Sequence, residues 1–67
     1  MIRCHLSRLM GERKMNIAQV ARETGLHRNT VGLLYREEAT RIDLDAVDKL
    51  CALFECEIGE LFEYRAE

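Results

Sequence analysis

Apolar side chains recur at helical spacing in five separate stretches of this chain, and each stretch is short. Proline is absent and there are only four glycines, so little in the backbone opposes helices joined by tight turns. At 67 residues a chain buries about 60% of the surface its unfolded form exposes, which leaves room for one small core. The expectation is a single all-α domain over residues 1–67, with no second domain and no deep cleft.

The stretches have identifiable ends. Leu6, Leu9 and Met10 predict a first helix from about Leu6 to Arg13. Asn16 followed by Gln19 reads as an N-cap with a box-like partner for a second helix, Ile17–Thr24, whose apolar face is Ile17, Val20 and Ala21. Gly25 ends it in the left-handed position usual after a helix. A third helix is expected from about Arg28 to Arg36, with Val31, Leu34 and Tyr35 inward. Asp43 is expected to cap a fourth helix carrying Leu44, Val47, Leu50, Cys51 and Phe54 on one face. Ile58, Leu61 and Phe62 mark a last short helix. Ile2, Cys4 and Leu6 alternate with Arg3 and His5, a strand-like period, and Phe62–Arg65 supplies a candidate partner strand, so a two-stranded patch joining the ends is a further expectation.

Several function classes drop out. The longest apolar run is Val31–Tyr35, far short of the ~20 residues of a membrane span. The first residues lack the apolar stretch of a signal peptide, so a cytoplasmic location is expected. Aromatics at 6% argue against a base-stacking platform. Cys4, Cys51 and Cys56 are odd in number and widely spaced, as for reduced, partly buried thiols. Cys4-His5 and Cys51…Cys56 are metal-ligand types, but Cys51 sits on the apolar face of the fourth helix, and no metal, cofactor or small-molecule ligand is expected. No nucleophile–base pair or glycine-rich phosphate loop is present, so the chain is not expected to be an enzyme. Asp43, Asp45, Asp48, Glu55, Glu57, Glu60 and Glu63 fit a solvated face.

Charge is distributed unevenly. The net charge is −2, yet residues 1–41 hold eight Lys/Arg against four acids, while residues 42–67 hold two against eight. The basic half contains the most informative segment. Between the second and third helices, Ala21 permits close approach, Gly25 permits positive φ, and Val20, Leu26, Val31 and Leu34 are apolar where the two helices face a core. The third helix begins with His27, Arg28, Asn29 and Thr30. Arginine bonds guanine, and asparagine adenine, through paired hydrogen bonds at base edges.

The run from Asn16 to Val31, with Ile42-Asp43-Leu44, Leu50-Cys51-Ala52-Leu53 and Cys56 to Tyr64, resembles the Cro/repressor-type helix-turn-helix family, also called the XRE family, in a small stand-alone form. The resemblance covers nearly the whole chain. It implies a compact four- to five-helix, lambda-repressor-like domain that binds double-stranded DNA and regulates transcription, its third helix entering the major groove. Carried over by position, Arg28, Asn29 and Leu33 face bases, with His27 and Thr30 beside them. Asn16 and Ile17 lie against a phosphate through backbone N–H groups, and Arg36, Thr40 and Arg41 hold the backbone from the loop after the third helix.

That loop departs from the family. It reads Arg36-Glu37-Glu38-Ala39-Thr40-Arg41, with two carboxylates and no glycine where Asn-Gly is common. The acids weaken binding unless they point away from phosphates. A protein-interaction or antitoxin-like module with weak DNA binding is therefore the alternative expectation. A homodimer is expected, because one domain this small touches few base pairs; Phe62 and Tyr64 are its candidate interface, unless they pack on Ile2 and Cys4 within one chain.

Overall fold

Local chemistry sets the ends of the second helix most clearly. The computed structural model describes residues 1–66; Glu67, at the end of the expected unit, lies outside the described residues. In chain order the elements are β1 (Ile2–Cys4), α1 (Leu6–Arg13), α2 (Ile17–Thr24), α3 (Arg28–Tyr35), α4 (Leu44–Phe54), α5 (Ile58–Leu61) and β2 (Phe62–Tyr64). Asn16 and Gln19 form the anticipated capping box: Asn16 Oδ1 accepts from the Gln19 N–H and Gln19 Oε1 from the Asn16 N–H, each at 2.8 Å. Gly25 has φ 76° and donates its N–H to the Ala21 carbonyl at 2.8 Å. α1 and α4 stop without glycine. Lys14 (φ 54°) and Glu55 (φ 51°) take the left-handed position, and the next N–H closes back, Met15 to the Met10 carbonyl at 2.9 Å and Cys56 to the Cys51 carbonyl at 3.1 Å.

The helices enclose one core of Leu6, Leu9, Met10, Val20, Ala21, Val31, Leu34, Val47, Leu50, Phe54 and Leu61, with Cys4 at its margin. A fully buried leucine such as Leu50 contributes ~1.5–3 kcal/mol, a large part of what a domain this small can accumulate. Arg13 ties α1 to α4. Its guanidinium donates to the carbonyls of Leu53 and Phe54 at 3.1 and 3.0 Å and lies over the Phe54 ring, placing a cation at the negative end of that helix.

β1 and β2 pair antiparallel, with Ile2 opposite Tyr64, Arg3 opposite Glu63 and Cys4 opposite Phe62, so the expected patch joining the ends is present. One face of this ribbon carries Cys4 and Phe62 onto the core. The other carries His5, Glu63 and Arg65, with His5 Nε2 2.7 Å and Arg65 Nε 3.1 Å from the Glu63 carboxylate.

Four details correct the sequence reading. Tyr35, expected inward, is 43% exposed and lines an open apolar groove of about 460 Å³ with Met10, Met15, Ile17 and Ala18. Leu44, expected on the inner face of α4, is 82% exposed; it is the first helical residue, ahead of the turn at which that face meets the core. Asp43 occupies the N-cap position, but its carboxylate makes no capping hydrogen bond. Arg36 is the C-cap of α3 and not its last helical residue.

Candidate nucleic-acid interface

α2, its turn and α3 are held together from inside. The buried Thr24 hydroxyl donates to the Val20 carbonyl at 2.7 Å and accepts from the Leu26 N–H at 3.2 Å. The turn leaving Gly25 is thereby fixed at both ends. This role of Thr24 had no signature in the sequence, where a threonine in a last helical turn is unremarkable. Val20, Val31 and Leu34 are buried and Leu26 packs against them, so the two helices face the core as the spacing predicted.

His27 then caps α3, its Nδ1 accepting from the Asn29 N–H at 3.0 Å. With that nitrogen occupied, Nε2 is the ring atom left to donate outward. Arg28 and Asn29 follow, both exposed, on the first turn. Thr30 and Leu33 are half-buried; Asn29 and Leu33, four residues apart, share one face of the helix.

Asn16 is exposed and Ile17 half-buried at the start of α2. The capping box changes one expectation: the Asn16 N–H is bonded to Gln19 and not available to an anion. Among the described residues, the Ile17 and Ala18 N–H groups have no acceptor within the chain, and these two point from the positive end of the helix.

The loop after α3 resolves the question of its two acids. Glu38 accepts from Arg36 Nε at 3.0 Å, and the Arg36 guanidinium folds back over Gly32, where a Cβ would meet Nη1 at 3.1 Å. Glu37 takes φ 58°, supplying the left-handed turn without a glycine. Its carboxylate turns to β1, accepting from Arg3 Nε and Nη2 at 2.9 Å each and from the Cys4 N–H at 3.0 Å. The Arg3 guanidinium and then the Cys4 N–H hold this carboxyl below its ordinary pKa. Thr40 and Arg41 are exposed beyond. Nothing in the sequence marked Glu37 or Arg3 for each other, because they stand 34 residues apart.

The pairing of charges separates two kinds of cation. Arg3, Arg8, Arg13, Arg36, Lys49 and Arg65 each form an ion pair within the chain. Among the described residues, Lys14, Arg22, Arg28 and Arg41 form none. Arg36, expected at a phosphate, is thus already paired, whereas Arg28 and Arg41 are not. Arg3, Arg8 and Arg36 are paired by acids of their own half, Glu37, Glu12 and Glu38, and Arg13 by Glu55; the cations without an ion pair among the described residues lie just after α1, on α2 and α3, and in the following loop.

Of the candidate pairing residues, Phe62 packs on the core and Tyr64 is 71% exposed opposite Ile2, itself 64% exposed. The three cysteines are free thiols, and burial pushes those of Cys4 and Cys56 up in pKa. No group of three His, Cys, Asp or Glu suited to a metal ion occurs among the described residues. No helix among them is long and apolar enough to cross a membrane.

Comparison with known proteins agrees with this geometry. Residues 5–67 match the model of the Cro/C1-type helix-turn-helix DNA-binding domain. The uncharacterised HTH-type transcriptional regulator YozG of Bacillus subtilis is 25% identical over 59 residues, spanning 88% of this chain and 70% of that protein. The crystal structure of a Bacteroides fragilis protein proposed to bind DNA matches with a TM-score of 0.80 at 17% identity, covering 94% of this chain and 100% of that one. At that identity the structural match speaks for the fold alone.

Proposed function

The chain belongs to the Cro/C1-type helix-turn-helix family of DNA-binding domains, and from that premise we propose that it regulates transcription in the cytoplasm as a homodimer reading the major groove with α3. The family is one of DNA-binding domains and not of enzymes, and its match favours DNA binding over the interaction-module alternative. The observation that carries the residue assignment is the exposed first turn of α3, where Arg28 and Asn29 stand beyond the His27 cap with side chains that make no hydrogen bond or ion pair among the described residues.

In this reading Arg28 and Asn29 contact base edges, Leu33 touches a thymine methyl, and His27 and Thr30 lie alongside. The Ile17 and Ala18 N–H groups, with the Asn16 side chain, meet one phosphate at the positive end of α2. Arg41 and Thr40 hold the backbone from the loop, and Arg36 joins them by exchanging Glu38 for a phosphate. That exchange is inexpensive, since an exposed pair of this kind is worth only ~0–1 kcal/mol.

The test is to select a preferred site from a random duplex pool and compare it with random DNA. Arg28→Ala and Asn29→Ala should each lose ~1–3 kcal/mol on the preferred site. Asn29→Ala, which removes no charge, should leave binding to random DNA nearly unchanged. Equal losses on both DNAs for Asn29→Ala would remove it from the base-reading set.

A further inference from the structure

Glu37 is an unexpected residue for its position on two counts. It holds a backbone conformation, φ 58°, that glycine adopts freely and glutamate does not. It also places a negative charge in the loop that, on the reading above, approaches phosphates. Both features are accounted for by where its carboxylate goes. Arg3 meets it in a two-pronged pair at 2.9 and 2.9 Å, and the Cys4 N–H adds a third bond at 3.0 Å. These partners belong to β1, 33 and 34 residues away. The same residue closes α3, its N–H donating to the Leu34 carbonyl at 3.2 Å, and the following Glu38 N–H donates to the Leu33 carbonyl at 2.8 Å.

We propose that Glu37 is a positioning residue for DNA binding: by clasping β1 it fixes the loop of residues 36–41, so that Arg41, Thr40 and Arg36 are presented to the DNA backbone. The proposal rests on the assignment of that loop to phosphate contact. The loop has no regular secondary structure between α3 and α4, and a free loop loses conformational entropy on binding; holding it beforehand removes part of that cost. A planar, bidentate arginine–carboxylate pair is suited to this because it fixes orientation as well as distance. The clasp also places a guanidinium against the carboxylate, which compensates the charge that would otherwise face the phosphates.

Electrostatics alone and positioning predict opposite signs. If Glu37 acted only through its charge, Glu37→Gln would remove a repulsion and tighten DNA binding. If it positions the loop, the same change loosens binding. Arg3→Gln breaks the clasp from the other side, and the double variant Glu37→Gln/Arg3→Gln has the net charge of the wild type, so charge alone leaves its affinity unchanged. The experiment measures duplex affinity by fluorescence anisotropy for the wild type and the three variants, with circular dichroism establishing that each is folded. Amide exchange of Glu38 is followed without DNA. The expected result is a roughly three- to tenfold loss for each single variant, a double variant weakened about as much as the single ones, and faster Glu38 exchange in all three. Tighter or unchanged binding by Glu37→Gln, or a double variant restored to wild-type affinity, overturns the proposal while the wild type's own binding keeps the DNA reading standing. A wild type that fails to bind any duplex at low salt overturns both.

Discussion

Among the described residues, three other than glycine hold left-handed backbone, Lys14, Glu37 and Glu55, and they do so for different returns. Such a conformation costs an L-residue ~1–2 kcal/mol. Glu37 offsets it with three hydrogen bonds to β1, and Glu55 with a weak exposed pair to Arg13 at 3.3 Å. Lys14 forms no ion pair among the described residues. Lys14→Gly should therefore stabilise the protein, by ~0.5–1 kcal/mol, raising Tm by a few degrees in a thermal melt; a lower Tm would mean the lysine has a role its geometry does not show. Glu63 makes a prediction about pH. Hydrogen bonds from Arg65 and then from His5 lower its pKa from 4.5 to about 2. A carboxyl lowered on folding stabilises the fold above its unfolded pKa and loses that contribution as pH falls through the folded one. Urea unfolding should find Glu63→Gln less stable than the wild type at neutral pH, with the difference shrinking between pH 4.5 and about 2. A difference independent of pH would assign the loss to packing.

At the scale of elements, what could be read from the sequence was what local chemistry determines. α1 and α2 have the bounds that Leu6, Asn16 and Gly25 imply, because caps and apolar periodicity act within a few residues. The two strands followed from alternation at Ile2–Cys4 and its counterpart at Phe62–Tyr64. Tyr35 and Leu44 were misplaced because each sits at a helix end, where periodicity no longer says whether a neighbour covers the side chain. The Arg3–Glu37 clasp was invisible for a different reason: only the completed fold brings loop and strand together. The exposed start of α3 could be anticipated, but the pairing of Arg36 with Glu38 and the occupied Asn16 N–H needed coordinates. The capping box carries a prediction of its own. Asn16→Ala removes the bond that Gln19 donates and should destabilise the protein by ~1 kcal/mol. If the start of α2 also seats a phosphate, DNA affinity should drop as well, at temperatures where melts show the variant folded. A loss of stability with unchanged affinity would confine Asn16 to capping.

For the whole molecule, the decisive property is that an acidic chain has all of its cations without an ion pair among the described residues within residues 14–41. A net charge of −2 gives no general attraction to DNA, so affinity depends on a few local contacts, and doubling them by pairing two copies is the direct remedy. We propose the β1–β2 ribbon as the surface for that pairing. Ile2 and Tyr64 face each other there at 64% and 71% exposure; the shallow groove beside them runs from Ile2, Leu34 and Phe62 to Thr40 and Arg41 of the loop assigned to DNA, so pairing falls to the strand edge and not to that groove. The amino group of Met1 and the Arg65 carbonyl bond at 2.6 Å, and the Arg65 N–H returns to the Met1 carbonyl at 2.8 Å. By the alternation of antiparallel pairing, the N–H and C=O of Tyr64 then lie on the outer edge of β2, where a second β2 strand would complete them. Two subunits joined in this way would present two recognition helices, which on a two-fold operator lie roughly 34 Å apart. The expected outcome is a wild type that sediments as a dimer at micromolar concentration and a Tyr64→Glu variant that sediments as a folded monomer. If each subunit neutralises roughly three to five phosphates, the log–log dependence of affinity on salt should have a slope of roughly −5 to −9 for the dimer, and about half that for Tyr64→Glu. A wild type that stays monomeric at high micromolar concentration, and binds DNA one copy at a time with the shallower slope, would rule out pairing through this ribbon and leave each domain reading its half-site alone.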